Sequence, residues 1–246
     1  MKRVVAGPNA VTEAVRAAPR EIAAIYLAEG LARATAERIE KLARDAGAPC
    51  AEAPREALDA LAKGLNHQGV LALAGDYPYV SLDELLEAAG RGPAPLLVVL
   101  DQVQDPGNLG AVVRSAHALG AAGVIATRDR SASMTPAAVR ASAGASELIR
   151  VARVGNLAQC LDHLRDAGFF VAGAAGEAER AIRELDWSGP TALVLGGEGK
   201  GLRRLTRERC DALFRIPLAT AFDSLNVSVA AAIALYEVGR SRGAAG

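Results

Sequence analysis

At 246 residues the chain is long enough for one large domain or two modest ones, each with a proper core. Hydrophobic residues make up 51% and aromatics only 4%, so the interior is built from Ala, Val and Leu, which suits helices packed on a parallel sheet. A formal net charge of zero excludes any argument for a nucleic-acid partner from bulk charge, and the 3 Cys and 3 His lack metal or disulfide spacing.

The chain opens on a strand-like "KRVVAG", a helical pattern near Ala10–Ala17 and a second strand, "EIAAIYLAEG". A longer helix spans Leu31 to Ala46 and is broken by Gly47 and Pro49. A short helix, "REALDALAKG", leads to the strand in "HQGVLALAG". Residues 1–76 thus read as a small α/β domain. Residues 77–95, with one short amphipathic helix before Gly92, Pro93 and Pro95, read as a linker. Residues 96–246 read as a second α/β domain. Apolar runs at "LLVVL", "GVIAT", "ELIRV", "FFVAGA", "TALVLG" and "LFRIPL" alternate there with helices near 109–119, 136–144, 156–167 and 202–209. That alternation implies βαβ units, a mainly parallel sheet and ligands at the carboxyl ends of its strands. The closing "NVSVAAAIALYEVGR" is a helix apolar on nearly every face, which must be buried under the sheet or in a subunit interface. The final "SRGAAG" reads as a frayed tail. The opening "MKRVVAGPNAV" lacks a signal-peptide core and no stretch has membrane-spanning length. The expectation is a cytoplasmic protein with reduced thiols, no membrane partner and no metal.

Arginine far outnumbers lysine, and Arg203, Arg204, Arg207 and Arg209 form either a local basic patch, diluted by Glu208, or a solvated helix face. Two nucleotide motifs fail. "GGEGKGL" has Val194 where a phosphate-binding loop needs its first glycine, and Gly201 where it needs a hydroxyl. No G-x-G-x-x-G follows "LLVVL".

Three strand-to-loop transitions remain. In "DPGNLGAVVR", Asn108 fits an N-cap as well as a ligand-binding amide. Arg114, opposite Val112, Val113, Ala116 and Leu119, fits either a solvated arginine or one reaching back to the loop mouth. In "LGGEGKGL" the glycines permit close backbone approach, and Glu198 is either a polar anchor or an exposed turn carboxylate. In "IPLATAFDSLNVSV" a strand ends at Pro217 and Leu218, and Ser224 or Asn226 caps the last helix.

These three stretches, in this order, resemble the SpoU-type (TrmH-like) RNA ribose 2′-O-methyltransferases of the SPOUT superfamily. "LDQVQDPGNLGAVVRSAHALGAAGV" is similar to their first motif, "ALVLGGEGKGL" to the second and "IPLATAFDSLNVSVAAAIALYEV" to the third. The N-terminal "GPNAVTEAV" and "HQGVLALA" resemble the L30e-like substrate domain of the subgroup that acts on 23S rRNA guanosine. "DRSASMTPAAVRASAGASELIRV" and "TRERCDAL" resemble that subgroup too. The resemblance implies a C-terminal trefoil knot, S-adenosylmethionine as cofactor, RNA as substrate, and a homodimer. It places Asn108, Arg114, Glu198, Ser224 and Asn226 at catalytic-centre positions, and Gly196, Ile216 and Leu225 at positions whose backbone holds the cofactor. Phe222 and Asp223 depart from the small and hydroxyl residues commoner there.

A ribose hydroxyl is a weak nucleophile facing an activated methyl group, so the chemistry needs alignment and removal of one proton. Arg114 would clamp the adjacent phosphate; a phosphate oxygen or a transiently perturbed arginine would take the proton. Alternatives are a methyltransferase for tRNA or another rRNA site, and a non-catalytic ribosome-assembly factor. tRNA-type relatives generally lack the N-terminal domain, and the intact five-residue set argues against the non-catalytic protein.

Overall fold

A computed structural model describes residues 3–90, 92–199, 201–220 and 224–243. The N-terminal unit runs β1 (Arg3–Ala6), α1 (Pro8–Ala17), β2 (Ile22–Ala28), α2 (Arg33–Asp45), β3 (Cys50–Ala53), α3 (Arg55–Ala62) and β4 (Val70–Ala74). Its sheet has the order β1-β4-β2-β3, with β4 antiparallel to both neighbours and β3 parallel to β2. Ile25, Ile39, Val11 and Val70 pack at its centre. Strand β3 is absent from the sequence reading. Its four residues, "CAEA", are small, acidic and half-buried or exposed at the sheet edge, so neither alternation nor an apolar run marks them.

The second unit runs α4 (Leu82–Ala89), β5 (Leu96–Asp101), α5 (Pro106–Ala118), β6 (Gly123–Thr127), α6 (Pro136–Ala141), β7 (Arg150–Val154), α7 (Leu157–Asp166), β8 (Phe170–Ala174), β9 (Thr191–Gly196), α8 (Arg204–Glu208), β10 (Ala212–Phe214) and α9 (Val227–Ser241). Its strands pair in parallel in the order β10-β8-β9-β5-β6-β7. Residues alternate across the sheet. Val98, Leu100, Val124 and Leu193 face a core shared with α5, α6 and α9, whereas Leu97, Val99, Ile125 and Val194 face α4 and α7.

Several local expectations change. Helix α4, expected inside a linker, is part of the second layer: Leu85 is fully buried and packs with Leu97, Val99 and Ile125. Before it, Val80 donates to the Val151 carbonyl at 3.1 Å, and the Tyr79 hydroxyl accepts from the Met134 amide at 2.7 Å. A Ser81–Glu84 capping box starts the helix. Strand β10 ends at Phe214, so Pro217 and Leu218 lie outside the sheet and are exposed. The expected frayed tail is held as far as Arg242, whose guanidinium donates to the carbonyls of Ala94, Trp187 and Gly189, each at 2.7 Å. Residues 244–246, like Phe222 and Asp223, lie outside the described residues. Among those described, no helix is long and apolar enough to cross a membrane.

Candidate active site

Strands β5 and β9 end side by side, with Asp101 opposite Gly196. Three segments meet there: the turn into α5, the loop after β9, and the approach to α9. The turn into α5 is capped by Asp105, whose carboxylate accepts the Asn108 amide N–H at 2.7 Å. Asn108 is therefore not the N-cap, and its side chain is free for other work. Its Nδ2 donates to Glu198 Oε1, and its Oδ1 accepts from Asn226 Nδ2 at 3.0 Å. Asn226 caps α9, its Oδ1 accepting from the Ser228 backbone at 2.9 Å and the Ser228 hydroxyl at 2.6 Å. Both ends of the Asn108 amide are engaged, which fixes its orientation and ties the three segments into one chain of hydrogen bonds.

The loop after β9 is shaped by close backbone approach. A Cβ on Gly196 would lie 2.1 Å from the Gly201 carbonyl carbon, and one on Gly197 would lie 2.1 Å from the Gln102 carbonyl oxygen. Only glycine fits either position. Fully buried Asp101 closes the loop onto β5. Its Oδ1 accepts from Arg203 Nε at 2.7 Å, its Oδ2 from the Arg203 amide at 3.0 Å, and its carbonyl from the Gly197 amide at 2.9 Å. The next residue, Gln102, has φ of +59°, a left-handed conformation rarely adopted outside glycine and stored here beside the site.

The structure joins Asn108, Glu198 and Asn226 by hydrogen bonds. Ser224 is exposed two residues before Asn226, and Ile216 and Leu225 are half-buried along the segment leading to α9. Arg114 is not joined to them within one chain. It lies six residues past Asn108, about 9 Å along the helix axis, exposed and without hydrogen bond or ion pair among the described residues. It borders a cleft against the N-terminal unit instead.

Asp101, Asp105 and Arg203 are site residues that sequence reasoning missed. Asp105 carried a signal, being a capping residue just before Pro at the first helical position. The Asp101–Arg203 pair, separated by 102 positions, carried none. The suspected basic patch resolves into ion pairs: Arg203 with Asp101, Arg204 with Glu208, Arg207 with Glu177, and Arg209 with Asp162. Among the described residues, no group of three or more His, Cys, Asp or Glu is arranged to hold a metal.

The family model described as the SpoU rRNA methylase family matches residues 95–236, spanning all three loops. The chain belongs to the SpoU rRNA methylase family. A second model, RNA 2′-O ribose methyltransferase substrate binding, matches residues 4–80. A curated relative, the 23S rRNA (guanosine-2′-O-)-methyltransferase RlmB of Pseudomonas syringae pv. tomato, is 44% identical over 97% of this chain and 95% of its own length. The SpoU methyltransferase AviRb from Streptomyces viridochromogenes, solved in complex with the cofactor AdoMet, has a TM-score of 0.78 at 26% identity, covering 99% of this chain and 91% of that one. The A. aeolicus TrmH/SpoU tRNA modifying enzyme, at 30% identity and a TM-score of 0.56, covers 66% of this chain and 83% of its own.

Proposed function

We propose that this protein transfers a methyl group from S-adenosylmethionine to the ribose 2′-hydroxyl of a guanosine in 23S rRNA. The observation that carries the reading is the Glu198–Asn108–Asn226 chain of hydrogen bonds at the ends of β5 and β9, in a chain whose residues 4–80 match a ribose-methyltransferase substrate-binding model. A tRNA reading is weaker because the A. aeolicus tRNA modifying enzyme matches only 66% of this chain, whereas the Pseudomonas syringae 23S rRNA methyltransferase matches 97%.

The residues present fit the cofactor. Gly196 and Gly197 bring bare backbone to the end of the sheet, and half-buried Ile216 and Leu225 supply apolar surface beside the donors and acceptors of their own main chain. When bound, S-adenosylmethionine supplies a sulfonium-activated methyl group. Everything else falls to the protein. Glu198, Asn108 and Asn226 hold the three loops in register, and Ser224 lines the substrate side. Arg114 pins the neighbouring phosphate so that the hydroxyl faces the methyl group. The hydroxyl proton leaves to a phosphate oxygen.

A homodimer completes the site in this reading. Val229, Ile233 and Tyr236 remain exposed along one face of α9, while Val227, Ala231, Ala234, Leu235 and Val238 are buried on the other. A second copy covers that face and brings an Arg114 to each cluster. The same reading includes a trefoil knot in the C-terminal half; in its favour, α9 packs with α5 and Arg242 binds Ala94 just before β5.

Tritiated S-adenosylmethionine and unmodified 23S rRNA transcript provide the direct test. Label should enter ribose in 23S rRNA and not tRNA, and Asn108→Ala should lose most of the rate. Label in tRNA alone, or on a base, would remove the reading.

A further inference from the structure

Between the two units lies a cleft of about 520 Å³. Asn9, in the first turn of α1, and Asn66 and Gln68, in the loop before β4, form one wall. Arg114 of α5 and Arg140 of α6 form the other. All five side chains are exposed, and none has a hydrogen bond or ion pair among the described residues. Glu147 also borders the cleft, but its carboxylate is turned inward to Arg3 at 3.2 Å with both side chains buried. Among the described residues, the free charge in the cleft is therefore two guanidinium groups.

The cleft is preformed. Buried His67 accepts the Gly69 amide N–H on Nδ1 at 3.1 Å, so Nε2 carries the ring proton and donates it to Asp59 at 2.9 Å. That pins the middle of the 64–69 loop and leaves Asn66 and Gln68 projecting on either side. Gln68 on one wall (φ +48°) and Ala143 on the other (φ +50°) hold left-handed conformations, which cost energy for any residue with a side chain. The walls are locked together by the Arg3–Glu147 pair, by Arg3 stacked 5.3 Å from the Tyr77 ring centroid, and by the Tyr77 hydroxyl donating to the Ser146 carbonyl at 2.7 Å.

We propose that this cleft seats one unpaired nucleotide of the substrate RNA, with its phosphate between Arg114 and Arg140 and its base edge on Asn9, Asn66 and Gln68. The proposal rests on the ribose-methylation reading above. Paired guanidiniums suit a phosphodiester, and side-chain amides, each donor and acceptor, read base edges exposed only in single strands. Phosphate contacts fix position and base contacts select sequence, so Arg140 is a positioning residue and the amides are specificity residues. RNA selection by the N-terminal unit and alignment by Arg114 then share one cavity.

The test uses the full-length protein and in-vitro transcribed 23S rRNA, with filter binding across a salt series in the absence of cofactor. Arg140→Ala should weaken binding about tenfold and lower the slope of log K against log salt by about 0.7, one phosphate contact to a single strand. Asn66→Ala combined with Gln68→Ala should leave that slope intact but reduce the preference for 23S over 16S transcript about tenfold. Both variants should bind S-adenosylmethionine like wild type in calorimetry, which shows that they fold. Affinity, slope and preference all within twofold of wild type would overturn the proposal. Because binding is read without methyl transfer, a wild-type protein that selects 23S rRNA through these residues but transfers no methyl group supports the cleft while removing the reaction.

Discussion

Arg114 separates binding from chemistry most cleanly at the residue scale. In the proposed reaction, Arg114→Ala removes a charge-assisted contact of about 1.5–3 kcal/mol and the alignment that goes with it, worth roughly 10²–10⁴-fold in rate. Methyl transfer should fall accordingly in single turnovers at saturating RNA, while cofactor affinity stays within a few-fold of wild type. Arg114→Lys keeps the charge but not the planar fork, so it should rescue little. A near-normal rate for the Ala variant would return Arg114 to an ordinary solvated arginine. The thiols behave differently. Burial, aided at Cys210 by the nearby carboxylates of Asp211 and Asp101, pushes Cys160 and Cys210 up from 9.0 to about 12. Both therefore stay protonated in the folded protein at pH 8, and a thiol reagent should modify neither until the chain unfolds. With unfolded thiols ionising near 9.0 and folded ones near 12, these groups leave stability unaffected below pH 9 and erode it as pH rises from 9 toward 12. Denaturant midpoints across that range should fall; a flat profile would contradict the burial argument.

At the scale of elements, the proposed dimer rests on α9. Its core face is small and tightly packed, with Ala231 and Ala234 fully buried, whereas Tyr236 is 56% exposed and Val229 46%. Ile233→Asp combined with Tyr236→Asp puts two charges on the open face without touching the core. Light scattering should show a monomer with a retained helical spectrum. A dimer of unchanged affinity would place the interface elsewhere. This helix also shows what a sequence pattern conceals. Apolar residues on nearly every side establish that it must be covered, but not which face its own chain covers. Asn108 is a similar case. Asp105 and Asn108 are both good capping residues, and only in the folded chain is it apparent that Asp105 takes the cap and leaves the Asn108 amide to Glu198 and Asn226.

On the scale of the whole molecule, the long apolar runs of β5, β6 and β9 and the alternation of strand and helix made the parallel sheet legible, because buried strands leave a continuous signal. Segment 77–95 was not legible as a packed element. Its Pro and Gly punctuation marks a break in chain direction, whereas the burial of Leu85 depends on β5, β6 and β7, which come later in the chain. The consequence is testable. A fragment beginning at Asp76 keeps Tyr77, Tyr79 and α4 on the sheet and should fold cooperatively and bind S-adenosylmethionine while losing most RNA selectivity. One beginning at Pro95 strips that face of the sheet and should melt at markedly lower temperature or aggregate. Equal melting temperatures would restore the linker.

Ribose-methylation maps of 23S rRNA and tRNA, compared between a wild-type strain and one lacking this gene, test the central claim most directly. Loss of a single 2′-O-methylguanosine from 23S rRNA, restored by the wild-type gene but not by the Asn108→Ala form, is the predicted result. An unchanged 23S rRNA map, with or without a methyl group missing from tRNA, would contradict it.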